Sequence, residues 1–296
     1  MPRFWIAIVL TLCTAPASAA CRVTPRATVP VARAGTLLLV PVTINGTTLN
    51  FLLDTGAERS VISLAAADQV HLVRDEWVST DMQGAGGRDR RRLGLPATLT
   101  LGGMPLVRRT MAADHSIVVG PIAGTVAGQP IAGLLGQDFL SPFDLDLDPA
   151  TSKLTLYNVA DCTGRFLPWP GPYQAIAAGR PVRNILTLPL RIGGTTLQAE
   201  LDSGASASVI TLPGMLQLGL TAGGADTASG FGPGSLAAHM QPFPAVQVGT
   251  LPSAPAAFAV APIRTLRSIG ALLGADWLAG RHVWISWGTN QIFVSG

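Results

Sequence analysis

The chain reads as a mostly β protein built from two lobes of similar topology, and three observations carry that reading. The first is a repeat. Asp54-Thr55-Gly56-Ala57 recurs 148 residues later as Asp202-Ser203-Gly204-Ala205, followed respectively by Ser60-Val61-Ile62 and Ser208-Val209-Ile210. At that offset Pro41 falls on Pro189 and Gly46-Thr47-Thr48-Leu49 on Gly194-Thr195-Thr196-Leu197. Further on, Leu134-Leu135-Gly136-Gln137-Asp138-Phe139-Leu140 returns as Leu272-Leu273-Gly274-Ala275-Asp276-Trp277-Leu278. Two ordered matches in each half make duplication the organising feature of the chain. The second observation is composition: 48% apolar and 12% charged residues, with 33 Gly and 23 Pro, suit short strands joined by turns and argue against disorder. The third is a β-pattern that runs into each Asp.

The elements follow in order. Arg3, an apolar stretch from Phe4 to Cys13 and Ala17-Ser18-Ala19 have the layout of an export signal over residues 1–19. Its apolar core is too short to span a bilayer, and nothing else reaches the ~18 apolar residues a membrane helix needs. The expected mature chain is therefore soluble and periplasmic, without stable membrane insertion. Residues 36–44 and 47–53 form a hairpin around Asn45-Gly46, repeated as 184–192 and 195–201 around Gly193-Gly194. Each return strand delivers its Asp to the following loop. Residues 64–72 suit a short helical turn. Residues 78–95 suit a hairpin with the flexible tip Gly84-Ala85-Gly86-Gly87, whose counterpart begins Gly230-Phe231-Gly232. Residues 138–140 and 276–278 suit one short helix in each lobe, ahead of terminal hairpins at 143–157 and 282–294. Lobes are thus expected over 20–160 and 184–296, joined by a Pro/Gly-rich linker over 161–183.

The paired aspartates carry the chemistry. Phe51-Leu52-Leu53 before Asp54, and Ala199 and Leu201 before Asp202, predict burial, where a carboxylate must be hydrogen-bonded or protonated. Gly56 and Gly204 permit tight loops whose N–H groups reach those carboxylates, and the hydroxyls of Thr55 and Ser203 can fasten one loop to the other. Taken singly, Asp-Thr-Gly is an ordinary surface turn. Duplicated in register, it supplies two carboxylates that can share a proton, an acid and a base at once. At ~3 Å and an effective dielectric of ~20 they repel by about 5 kcal/mol, enough to keep one protonated near neutral pH.

With the glycine-rich hairpin and the later Leu-Leu-Gly, these motifs resemble the retropepsin-like aspartic proteases, in a single chain carrying both halves in tandem over about residues 36–294. The resemblance implies an all-β, bilobal retropepsin- or pepsin-like fold whose cleft binds a polypeptide in extended form. It also implies a pseudo-dimeric monomer that needs no cofactor. By position, Asp54 and Asp202 are the catalytic pair, Thr55 and Ser203 brace the loops, and Gly56 and Gly204 hydrogen-bond substrate backbone. Gly84, Ala85, Gly86 and Gly87, with Gly230, Phe231 and Gly232, are the flaps. The chain departs from the retroviral pattern where an Arg follows the later Gly: Gln137 and Ala275 stand there, and only Glu58, against Ser206, keeps the acid that Arg would meet. Pepsin-type enzymes place a hydroxyl after the triplet; here both positions are alanine, Ala57 and Ala205.

Other features receive plainer readings. Cys21 and Cys162 form an even pair in an exported chain and are expected to bridge, the alternatives being free thiols or acylation of Cys21. Asp144-Leu145-Asp146-Leu147-Asp148 alternates as a strand; Pro149 and Thr155 spoil a calcium loop. The four histidines, His71, His115, His239 and His282, lack ligand spacing, so no metal site is expected. No basic stripe interleaved with aromatics points to nucleic acid. Arg88, Arg90, Arg91 and Arg92 read as a solvated face or, more sharply, as a cleft rim favouring acidic side chains. The tryptophans are expected in lobe and hairpin cores. Two functions stay open: an exported aspartic endopeptidase, or a non-catalytic peptide-binding protein of the same fold.

Overall fold

A computed structural model describes residues 20–106, 116–122, 124–181, 184–229, 234–265 and 269–295. Residues 1–19, read as an export signal, His115 and the expected second flap tip at Gly230, Phe231 and Gly232 lie outside the described residues. The repeat governs the architecture: a ten-stranded sheet belongs to the first half, a seven-stranded sheet to the second, and a six-stranded sheet joins them.

In the first lobe Leu37–Ile44 pairs antiparallel with Thr47–Leu53. Asn45 and Gly46 both take positive φ, 49° and 83°, as the tight hairpin turn requires. Gly133–Leu135 then pairs parallel with the return strand, Leu134 beside Leu52 and Leu135 beside Leu53. The second lobe repeats this register: Thr187–Ile192 pairs with Thr195–Leu201, and Ala271–Leu273 lies parallel to the latter. Among the described residues each lobe carries two short helices: α1 (Leu64–Gln69) and α2 (Gln137–Leu140) in the first, α3 (Leu212–Leu218) and α4 (Ala275–Leu278) in the second; α1 falls on the expected helical turn, and α3 was not expected. No helix among the described residues is long and apolar enough to cross a membrane.

The joining sheet takes strands from four places. Its order is Arg22–Pro30, Lys153–Ala160, Asp144–Asp148, Val283–Ser286, Gln291–Ser295 and Tyr173–Ala177. The lobes meet where Leu145 pairs with Ile285 and Leu147 with Val283. Asp144–Asp148 is a strand, its leucines buried in the shared core. Tyr173–Ala177 lies inside the segment expected to be linker, so that segment adds an edge strand instead of merely connecting. Cys21 and Cys162 are bonded and close the open end of the outer strand pair, next to the register pair Arg22 and Ala160.

The tryptophans divide. Trp284 and Trp287 are buried and Trp277 packs on the core, but Trp77 is 90% exposed. The cause is local: between Arg74, opposite Gly94, and Ser79, opposite Arg92, the strand Val73–Gly84 carries extra residues in a bulge. The carboxylate of Asp75 accepts the backbone N–H groups of Trp77 and Val78, replacing the missing ladder bonds.

Candidate active site

Each aspartate follows a return strand that ends in the core. Phe51 and Leu53, and likewise Ala199 and Leu201, point into it, so strand alternation sends the intervening side chains and the aspartates to the opposite face. The chain then turns sharply. Oδ1 of Asp54 accepts the N–H groups of Gly56 at 3.0 Å and Ala57 at 2.9 Å. Oδ1 of Asp202 accepts those of Gly204 at 3.0 Å and Ala205 at 3.1 Å.

The two loops lock reciprocally. Thr55 Oγ1 donates to the Leu201 carbonyl at 2.7 Å and accepts the Ser203 N–H at 3.0 Å. Ser203 Oγ donates to the Leu53 carbonyl at 2.7 Å and accepts the Thr55 N–H at 3.0 Å. Both residues are buried. The lock draws each carboxylate against the other loop: a methyl group on Gly56 would sit 2.5 Å from Cγ of Asp202, and one on Gly204 2.4 Å from Cγ of Asp54. Glycine is required at both positions by this approach.

Burial, and then the Asp202 charge, push the carboxyl of Asp54 up to about 8. Burial raises Asp202 as well, but the Gly204 and Ala205 N–H bonds and the hydrogen bond from Asp54 oppose the rise. Both carboxyls thus bind a proton more readily than ordinary aspartates, and they titrate as a pair.

A family model described as aspartyl protease matches the chain twice, over residues 40–139 and 188–277. The chain belongs to the retropepsin-like aspartyl protease family. No curated protein matches it. The tandem match makes the chain a pair of related halves, and the mostly β bilobal architecture agrees with that.

Around the two aspartates the later Leu-Leu-Gly segments pack tightly. Gly136 and Gly274 lie so close to the turns that a methyl group on either would meet Ala57 O at 2.6 Å and Ala207 C at 2.6 Å. Gln137, in the place of the expected Arg, donates its side-chain N–H to the Thr55 carbonyl, while its backbone N–H bonds Ala57 O at 2.8 Å. A neutral amide thus braces the first loop. In the second loop the corresponding residue, Ala275, gives its backbone N–H to Ala205 O at 2.8 Å.

A second repeated clamp escaped the sequence reading. Ser60 Oγ donates to Asp138 at 2.7 Å and accepts the Gly136 N–H at 2.8 Å. Ser208, Asp276 and Gly274 repeat this at 2.8 and 3.0 Å. The signal was present, since both serines and both aspartates recur in the repeat, but it gave no hint that they meet.

The first flap is a long hairpin, Val73–Gly84 with Gly87–Leu95. It reaches the other lobe: Gly86 O accepts the Gly234 N–H at 2.9 Å and Gln83 bonds Arg264 O at 3.2 Å. Ala85 rests on an apolar cluster of the second lobe. Of the flap arginines, Arg88, Arg90 and Arg92 face solvent, whereas Arg91 is half-buried and held by Asp89. Ser206, which stands where the first half has Glu58, accepts Thr36 Oγ1 through its carbonyl at 2.7 Å.

Proposed function

We propose that the chain is an exported aspartic endopeptidase that works as a monomer in the periplasm, with a polypeptide lying extended between the lobes under the flaps. The reading is carried by the reciprocal seating of Asp54 and Asp202 against each other's glycines, a geometry that lets one proton serve both. Ionised Asp202 takes a proton from a water, whose oxygen attacks the scissile carbonyl carbon. Asp54 gives its proton to the carbonyl oxygen, forming a neutral diol. In the second step Asp54 takes a diol proton back, Asp202 protonates the leaving nitrogen, and the C–N bond breaks. Thr55 and Ser203 keep the two turns in register; Gly56 and Gly204 leave room for, and hydrogen-bond, the peptide backbone. No enzyme-bound acyl group arises.

Asp54→Asn and Asp202→Asn are each expected to lower kcat on a peptide library about 10²–10⁴-fold while leaving the chain folded, since one shared proton needs two carboxylates. Either variant retaining more than about a hundredth of wild-type turnover would sink the shared-proton mechanism. Peptides that bind without being cleaved by the wild type would favour the non-catalytic reading.

A further inference from the structure

The mechanism leaves a buried ionisable group close to the aspartates unused. Glu200 precedes Asp202 by two residues and is 7% exposed. Its carboxyl sits well above the usual range because of burial first, then the charges of Asp202, Asp54 and Glu58, and no hydrogen bond from the described residues relieves it. Keeping a carboxyl this far from water is costly and asks for a reason.

Its position supplies one. Alternation along Thr195–Leu201 puts Glu200 on the face that Asp202 continues, roughly 7 Å along the strand. The parallel pairing of Glu200 with Leu272 places both on that face. Leu272 belongs to the apolar cluster, with Ile185 and Ile269, on which Ala85 of the first flap tip rests. Glu200 therefore lies on the cleft floor beneath that flap. In the first lobe the same position is Leu52, paired with Leu134 and packed with Leu37, Leu39 and Ile131. Duplicated walls have thus diverged, one apolar and one acidic.

We propose that Glu200 is a specificity-determining residue that forms the floor of a subsite beside the scissile bond and pairs with a cationic substrate side chain, lysine or arginine; this rests on the peptidase reading. The stem of such a side chain lies along Ile185, Ile269 and Leu272 while its charged end reaches the carboxylate. Pairing replaces a proton on Glu200 by the substrate's charge.

The test uses the full mature chain and non-cleavable peptides with a reduced scissile bond, carrying either lysine or norleucine at each flanking position, with calorimetry as the readout. At one of the two positions lysine is expected to bind about 10–100-fold more tightly than norleucine. In Glu200→Gln that ratio should fall towards one, and in Glu200→Leu norleucine should be preferred. Binding of the lysine peptide should also release protons, seen as a dependence of the heat on the buffer's ionisation enthalpy. Equal binding of the two peptides, a ratio unchanged by Glu200→Gln, or no binding of either overturns the proposal. A lysine preference without cleavage of the ordinary peptide removes the peptidase reading alone; cleavage without a cation preference removes this proposal alone.

Discussion

Ala57 and Ala205 each give a backbone N–H to the carboxylate three residues earlier and have no hydroxyl to add to it. The ionised pair thus receives two N–H bonds per aspartate, too few to offset burial, and the Asp54 carboxyl is pushed up to about 8. The proposed mechanism requires one proton on the pair, which places the alkaline limb of kcat/KM where that last proton leaves. A hydroxyl donor stabilises the ionised form and lowers that value. Ala57→Ser with Ala205→Ser is therefore expected to move the alkaline limb of kcat/KM down by about one pH unit, the worth of one charge-assisted bond. A limb that stays put or moves up would mean that something other than these missing donors sets the proton's affinity. The alanines and their neighbours were fully legible in the sequence, because the motif is contiguous and repeated. Glu200 was not: it reads as one polar residue in an alternating strand, and only the pairing partners reveal that its face is the covered one.

At the scale of elements, the strand Asp144–Asp148 shows how a single sheet can be sealed on both faces. Its leucines enter the core, while Asp144, 4% exposed, accepts the indole N–H of fully buried Trp284 at 2.8 Å. Asp144→Ala leaves that N–H buried without an acceptor and is expected to cost about 1–3 kcal/mol in urea unfolding. Asp144→Asn keeps an acceptor and changes the pH dependence. Burial raises the folded Asp144 above the usual carboxylate range, so the folded state binds the proton more tightly than the unfolded one. Wild-type stability from this group is present at low pH and lost as pH rises through the folded value. The Asn variant should accordingly gain on the wild type as pH rises across that window, and a constant difference would refute the assignment. The hairpins around Asn45-Gly46 and Gly193-Gly194, the first flap and the terminal hairpins were readable from alternation and turn residues. Two edge strands were not. Arg22–Pro30 contains two prolines and pairs more than a hundred residues away, and Tyr173–Ala177 buries only Ile176, so neither shows a strong period. The bulge that exposes Trp77 depends on which residue faces which, a property of register that composition cannot supply.

For the whole molecule, duplication has not left two independent halves. The central sheet sets three strands from residues 22–160 beside three from residues 173–295, and its inner seam joins Asp144–Asp148 to Val283–Ser286. Separated, the first half would expose an unpaired edge with Leu145 beside it, and the second would lose the acceptor for Trp284 and the strand covering Val283 and Ile285. Unpaired apolar edges associate or fail to fold. The lock between Thr55 and Ser203 also needs both loops, so the aspartates would lose their opposition as well. Fragments 20–165 and 166–296, cut so that the disulfide stays in the first, are therefore expected to show no cooperative thermal transition when purified alone. Mixed during refolding, they should recover one transition together with the shielded fluorescence of Trp284. A monomeric second fragment with a sharp transition of its own would show that the lobes are autonomous and that the joining sheet only docks them. That outcome would relocate the stability of the paired aspartates from the shared sheet to the contacts between their two loops.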